Sequence, residues 1–338
     1  MQKLYTLIVL IGSLVCASPL HSRVPKIVVV GAGLSGLTNA YKLQKEGLDV
    51  ELYEARNRVG GRVFSVEIAG HIAELGAQNI RDGGEAENTF ALIEELGLKT
   101  VMRQSLLYLR YFERGEFFDI GKIIRERGFI AEELETKLKT IGSRAQNMHA
   151  VLKALFDIEA VEYGTIAKIL ASIEEASWGQ GSVTNGRIVI SLNGDCHVVN
   201  MYYAGHCGRF TEQTLEQTLQ EDLPLVEKIY ALRSGAYPRL ALDCAFDTSE
   251  GPIGHCWLTD LFALGSYSCI GAGKEAAFTT TEEIGEYEVK TLFAPIDGRL
   301  FFAGEHASTL FHVGGTMEAA IDAGMKAADM IVERVRHE

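Results

Sequence analysis

Positive charge is in short supply in this chain. Its 338 residues carry 32 Lys and Arg against 45 Asp and Glu, a net charge of −13. A surplus of that sign repels phosphate backbones and makes nucleic acid a poor partner, so none is expected; a negative field mildly favours cations. Long apolar runs are missing as well. The stretch Leu4–Val15 is too short to cross a bilayer comfortably, and no later segment is both long and apolar enough, so no stable membrane span is expected. There is no internal repeat and no low-complexity linker. After Cys16 only five cysteines remain, Cys196, Cys207, Cys244, Cys256 and Cys269. Three stand next to histidine, in Cys196-His197, His206-Cys207 and His255-Cys256, but these spacings match no zinc motif and no metal is expected.

What is present starts with a leader. Lys3 supplies a positive end, Leu4–Val15 an apolar stretch and Val15-Cys16-Ala17 a small-residue cleavage site, so residues 1–17 read as a secretory signal and the mature chain as exported, periplasmic or secreted. Lipidation at Cys16 is the alternative, and Val15 matches poorly the small residue it would want there. In an oxidising compartment the remaining cysteines would make one or two disulfides with one thiol left over. With 47% hydrophobic residues, the chain can bury a large core and form two domains.

Residues 26–30, Lys-Ile-Val-Val-Val, form an apolar β-branched run that suits a buried parallel strand. Gly31-Ala-Gly33-Leu34-Ser35-Gly36 follows. Gly31 allows a tight turn, Gly33 lets the backbone approach a pyrophosphate, and Gly36 lets the next helix pack close to the strand. That helix is predicted over about Ser35–Lys45, stopped near Gly47, with its N-terminal amides and dipole aimed at phosphate. A second strand is predicted at Val50–Tyr53. It delivers Glu54 to its carboxyl end, where an acid accepts the hydroxyls of an adenosine ribose. Strand, turn, helix, strand and acid in this order specify a dinucleotide site.

Two further segments narrow the dinucleotide. Glu54-Ala55-Arg-Asn-Arg58-Val-Gly60-Gly61-Arg62 and Glu74-Leu-Gly76-Ala77-Gln78-Asn79 follow the first fingerprint. Leu300-Phe-Phe-Ala303-Gly304-Glu305-His306 and Gly314-Gly315-Thr316-Met317-Glu318 lie near the other end. Between them sits Trp257-Leu-Thr-Asp260-Leu-Phe-Ala-Leu-Gly265-Ser266-Tyr267-Ser268. The set resembles the flavin-containing amine oxidases, the superfamily of monoamine, polyamine and L-amino-acid oxidases. The resemblance covers the first ninety or so mature residues and roughly the last eighty. It implies an α/β fold: a Rossmann-like FAD-binding domain of the amine oxidase type, built from residues 23–100 and 285–338, with a smaller, shortened α+β substrate domain over 101–284.

The resemblance also assigns residues. FAD would be held by Gly31, Gly33, Leu34, Ser35, Gly36, Glu54 and Ala55, then by Gly61, Arg62, Gly76, Ala77 and Gln78, and at its flavin end by Gly304, Glu305, Thr316 and Met317. Arg62 would neutralise pyrophosphate charge. Glu305 would accept from ribityl hydroxyls or reach the pyrophosphate through water. The helix beginning at Thr316 would donate to the flavin pyrimidine carbonyl and stabilise its negative charge on reduction. Tyr267 and Thr316 would be the walls of the substrate pocket. Where monoamine oxidases carry a cysteine linked to the flavin, this chain has Ser266, which implies non-covalent FAD.

The middle reads less clearly. Helices are predicted at Glu85–Leu98, within Ala131–Leu155, at Thr165–Ser177, and after Thr211 with a bend at Pro224. Strands are predicted around Arg114-Gly115 within Leu107–Phe118, at Arg187–Leu192, at Met201–Tyr203 and at Leu300–Ala303. Relative to the family, residues are missing at about 178–200. So are the strand that embraces the adenine and a lysine that approaches flavin N5 through water; Arg187 and Lys228 are the nearest basic residues. The implied activity is oxidation of a primary or secondary amine, with oxygen as acceptor and hydrogen peroxide as product. The alternatives are an L-amino-acid oxidase, with Arg81 or Arg110 pairing the substrate carboxylate, and a catalytically inactive FAD-fold relative.

Overall fold

The computed structural model describes residues 26–80, 85–100, 110–113, 116–119, 161–163, 165–172, 183–184, 188–193, 197–204, 217–218, 221–222, 224–225, 239–240, 253–270 and 275–337. The leader predicted at 1–17, the helix predicted within 131–155, and Arg81, Arg187, Lys228, Cys196, Cys207 and Cys244 lie outside these residues, as do the side chains of Arg110 and Cys269. The helix predicted after Thr211 is described at 217–218, 221–222 and 224–225, all of them helical.

Strand β1 (Ile27–Val30), helix α1 (Leu34–Lys45) and strand β2 (Val50–Tyr53) form a unit of two parallel strands joined by a crossover helix. The helix ends as its sequence requires. Gly47 turns left-handed at φ 79°, and the amides of Gly47 and Leu48 return to the carbonyls of Gln44 and Leu43. Ile27, Val29 and Val50 pack with Leu43 of α1 and with Ala328 and Val332 of the C-terminal helix. Truncating the fully buried Leu43 would cost about 2–5 kcal/mol. The strand is only half buried, against expectation: Val28 and Val30 point the other way and are 51% and 79% exposed. Among the described residues nothing covers that face.

The hairpin β3 (Ser65–Ile68) and β4 (His71–Glu74) leads to α2 (Glu87–Glu95). A mixed eight-stranded sheet follows. Its members are β5 (Arg110–Glu113), β6 (Glu116–Asp119), β8 (Ile166–Ser172), β9 (Val183–Thr184), β10 (Ile188–Leu192), β11 (Val198–Ala204), β12 (Arg239–Leu240) and β13 (Ile253–Cys256), in the order β12-β13-β8-β11-β10-β9-β5-β6. The short β7 (Val161–Tyr163) pairs instead with β14 (Ser268–Ile270). After α3 (Glu275–Thr279) come the hairpin β15 (Thr281–Ile284) and β16 (Tyr287–Lys290), and then the long α4 (Met317–His337).

Two expectations for this region are corrected. Residues 166–172 form a strand, not part of a helix. All seven are buried, and β8 pairs with β11 on one side and β13 on the other. Such a central strand loses the apolar–polar alternation, and its Ala, Lys, Ile and Leu content suits a helix equally well. Leu300–Ala303 is not a strand either. Among the described residues its one ladder contact is the bridge Ile296–Leu300, and Leu300 is half exposed.

The first and last helices touch closely. A Cβ on Gly324 of α4 would stand 2.4 Å from the Ser35 carbonyl oxygen of α1, so the backbones meet where no side chain fits. Asn39 of α1 donates to the Gly324 carbonyl at 3.1 Å. Further along, Glu318 of α4 is buried and caps α2 from outside. One of its oxygens accepts from the Asn88 amide and Nδ2, the other from the Thr89 amide and hydroxyl, at 2.7–3.1 Å. The core between hairpin and sheet joins Phe64, Val66, Ile68 and Leu75 to Ile166, Leu170, Val198 and Trp257.

Candidate active site

Every residue assigned above to FAD or to the pocket wall lines a single cavity of about 3010 Å³. A typical ligand pocket is roughly 300–1,000 Å³, so this one has room for a dinucleotide and a second molecule.

At one end the loop between β1 and α1 meets the glycine pair at 60–61. The Gly60 amide donates to the Ala32 carbonyl at 2.8 Å, and a Cβ on Gly61 would lie 3.2 Å from the Gly33 Cα. Two backbone segments therefore lie edge to edge at the cavity wall. Glu54 closes this end. Its carboxylate accepts from the Ala32 amide at 2.7 Å and the Arg56 amide at 2.8 Å. Burial pushes its pKa up, but these two backbone donors, with the Arg56 charge and the Ala55 amide, together outweigh the push and hold it below the usual range. Glu54 thus remains an acceptor with lone pairs to spare.

At the other end Glu305 is buried. It accepts from Arg62 Nη1 at 2.8 Å, the Ser268 amide at 2.7 Å and the Ser268 hydroxyl at 2.5 Å. Burial again raises its pKa, and Arg62 and Ser268 more than reverse that, leaving the carboxyl low. Arg62 also donates to the Ser266 carbonyl at 3.0 Å. One arginine from the N-terminal fingerprint therefore fastens both the C-terminal acid and the 266–268 segment. Thr316 caps α4: its hydroxyl donates to the Val313 carbonyl at 2.5 Å and accepts the Ala319 amide at 3.3 Å. Tyr267 lies against the same corner, since a Cβ on Gly315 would be 3.2 Å from the Tyr267 Cβ. The two expected pocket walls are thus neighbours.

The floor of the cavity is the large sheet, and here sequence reasoning missed residues. Lys168 on β8 is buried, and its ammonium donates to the carbonyls of Glu74 (3.2 Å) and Gly76 (2.6 Å) and to Gln78 Oε1 (2.8 Å). Asn200 Nδ2 donates to the same Gln78 oxygen at 2.9 Å. The Glu74–Gln78 segment is thereby stitched to the sheet, with Trp257 Nε1 donating to the Leu75 carbonyl at 3.1 Å. Tyr202 on β11 lines the cavity near Tyr267; burial pushes its phenol up to about 12, with Tyr267 adding to the rise. The signal for Lys168 was a lone lysine inside the apolar run Ile166–Ala171. Arg56, missed too, reaches across to buried Asp260, which also accepts from the amides of Phe262 and Ala263 and lies 3.2 Å from His255 Nε2.

A model of the family described as flavin containing amine oxidoreductase matches residues 153–332, just over half of the chain. The chain belongs to that family. A model of an NAD(P)-binding Rossmann-like domain matches residues 29–96. Membership of the flavin-containing family makes FAD the cofactor. Among curated proteins, a mitochondrial protoporphyrinogen oxidase of Nicotiana tabacum is 43% identical over 79 residues, 23% of this chain and 15% of that protein. A putrescine oxidase of Kocuria rosea is 44% identical over 77 residues, again 23% of this chain and 16% of its own length. The matched stretch therefore spans about a sixth of these relatives. Among solved structures, cyclohexylamine oxidase from Brevibacterium oxydans superposes with a TM-score of 0.64 at 15% identity, over 93% of this chain and 99% of that one. This likeness establishes the fold.

The cavity fits FAD on its own chemistry. No side chain caps α1, which leaves its first-turn amides for an anion, and a Cβ on Gly33 would meet nothing within 4 Å. The Ser35 hydroxyl, buried beside them, has no hydrogen-bond partner among the described residues.

Proposed function

We propose that this chain is an FAD-dependent oxidase of primary or secondary amines. The observation that carries the reading is the shared cavity, in which fingerprints from both termini are locked together by Arg62 and Glu305. Bound FAD supplies the acceptor for a hydride equivalent from the amine's α C–H, with oxygen as final acceptor, an imine and hydrogen peroxide as products.

The chain's own residues do the rest. The α1 amides, Gly33 and Ser35 take the pyrophosphate, and Glu54 the adenosine ribose. The start of α4, at Thr316 and Met317, lines the cavity and would favour negative charge on the flavin pyrimidine held there. Tyr267, Tyr202 and Thr316 wall the substrate space and exclude water. Lys168, held by three acceptors, would be the counterpart of the family lysine that approaches flavin N5 through water, and it fixes the Glu74–Gln78 segment along the cavity. Ser266 cannot form a thioether, so FAD is held non-covalently. Residues 1–17 direct export, and residues 101–284 form the substrate domain.

The test is the visible spectrum of the purified protein. Flavin absorbance that an amine bleaches without oxygen, with peroxide appearing in air, supports the reading. Peroxide from an amino-acid panel and not from amines would move it to an L-amino-acid oxidase. A second reading, an FAD-fold chain without turnover, draws support from the uncovered face of β1 and β2. Flavin that is bound but never bleached by any amine or amino acid would favour it.

A further inference from the structure

Lys290 ends β16 and is 2% exposed. Its ammonium meets no carboxylate within ion-pair distance among the described residues. It donates to the His306 carbonyl at 2.7 Å and lies over the rings of Phe278, 3.7 Å to the centroid, and Phe311, 5.1 Å. An ammonium so placed is expensive to desolvate, and an apolar side chain of the same length would pack there more stably. A role outside stability is therefore the natural reason for it.

The carbonyl it grips belongs to the turn that presents Glu305. Gly304 is left-handed at φ 138°, the Ala307 amide closes back on the Gly304 carbonyl at 2.9 Å, and the His306 ring folds over Gly304. Glu305 is one peptide away from the gripped carbonyl. We propose that Lys290 is a positioning residue of the cofactor pocket: its ammonium holds the His306 carbonyl, and through it the Glu305 carboxylate, against Arg62 and Ser268, and loss of its proton slackens the hold on FAD. This rests on the assignment of the cavity to FAD.

Among the described residues the titratable groups that act on Lys290 are Glu305 and His306 of the turn, with Arg62 beyond Glu305; α3 and the turn at 311–313 contribute the rings of Phe278 and Phe311. On its own hairpin Thr281 lies opposite, and Glu288 accepts from the Thr281 hydroxyl. Burial pulls the lysine down to about 8, against the upward pull of Glu305. Burial lowers His306 as well, despite Glu305, with Arg62 and Lys290 adding to the drop, so it stays neutral while Lys290 titrates.

The full chain is tested as wild type, Lys290→Met and Lys290→Arg. The FAD dissociation constant is followed by flavin fluorescence from about pH 6.5 to 9.5, and the melting temperature of each apoprotein is recorded alongside. Losing a charge-assisted hydrogen bond should weaken wild-type FAD binding about tenfold as pH rises through the Lys290 transition. Lys290→Met should show the weakened affinity at every pH, yet melt no lower than wild type near neutrality. Lys290→Arg should keep tight binding and lose the alkaline decline, since its charge persists. An unchanged decline in either variant overturns the proposal, as does a Met variant that binds FAD like wild type. Wild-type binding that is flat with pH overturns it alone, whereas no FAD uptake at any pH overturns the cofactor assignment with it.

Discussion

Gly33→Ala separates cradle from scaffold. The residue sits at φ −73° and ψ 174°, extended backbone that alanine adopts freely, and a Cβ built there meets nothing within 4 Å. The protein alone should therefore tolerate the methyl, with stability within about 0.5 kcal/mol of wild type. The cavity should not. Gly33 lines it where the pyrophosphate must approach the backbone, and a methyl forced into that contact costs about 1–3 kcal/mol, roughly 5- to 150-fold in FAD affinity. Gly36→Ala is the opposite case. Its Cβ would stand 2.0 Å from the Gly31 carbonyl oxygen, a backbone atom, so α1 itself must shift and the apoprotein should lose stability. Thermal unfolding of both apoproteins, with FAD binding by fluorescence, reads the two effects apart. If Gly33→Ala binds FAD as wild type does, or weakens it only in step with a fall in melting temperature, the placement of the pyrophosphate is wrong.

Other consequences are as direct. Glu318→Ala strips four donors at the start of α2 of their partner and should cost about 2–4 kcal/mol in urea unfolding; a loss below about 1 kcal/mol would show that the cap is dispensable. Lys168→Met should keep FAD but lower amine turnover at least about tenfold, the size expected for losing one positioned hydrogen bond at the reacting site; unchanged turnover would remove Lys168 from the mechanism. Burial pushes Asp260 up, but His255, the amides of Ala263 and Phe262, and Arg56 together hold it well below the ordinary aspartate range. Its contribution is therefore complete above the unfolded value of 3.8 and fades as pH falls through the folded one, so Asp260→Asn should flatten the acid limb of the stability curve. An identical acid limb in the variant would refute that.

The N-terminal unit was legible because its signals are local: the β-branched run, the spaced glycines and Glu54 lie within 28 residues of one another and need no tertiary context. Helix α4 was expected to begin at Thr316, and it spans Met317–His337. Lys168 was not, because its strand is buried on both faces and carries residues with no preference for either structure. Tyr202 faces the cavity through the register of β11 with β8, which no single sequence states. The Glu318 cap joins residues some 230 positions apart, and Thr89, an ordinary residue in sequence, reveals nothing of it. The apolar segment 300–303 misled in the other direction: its composition is that of a strand, yet among the described residues it finds no ladder to join.

The crossing of α1 and α4 sets an order of events. Asn39 and Gly324 are 285 positions apart, and their contact forms a wall on which the dinucleotide cradle leans. A chain emerging from the ribosome displays β1, its glycine turn and the start of α1 long before the partner helix has been synthesised, and contacts this distant are slow to find. The growing polypeptide therefore has no vessel to fill: loading with flavin must wait until α4 has been made, and a chain cut before Met317 would leave the N-terminal fingerprint intact in sequence and empty in practice.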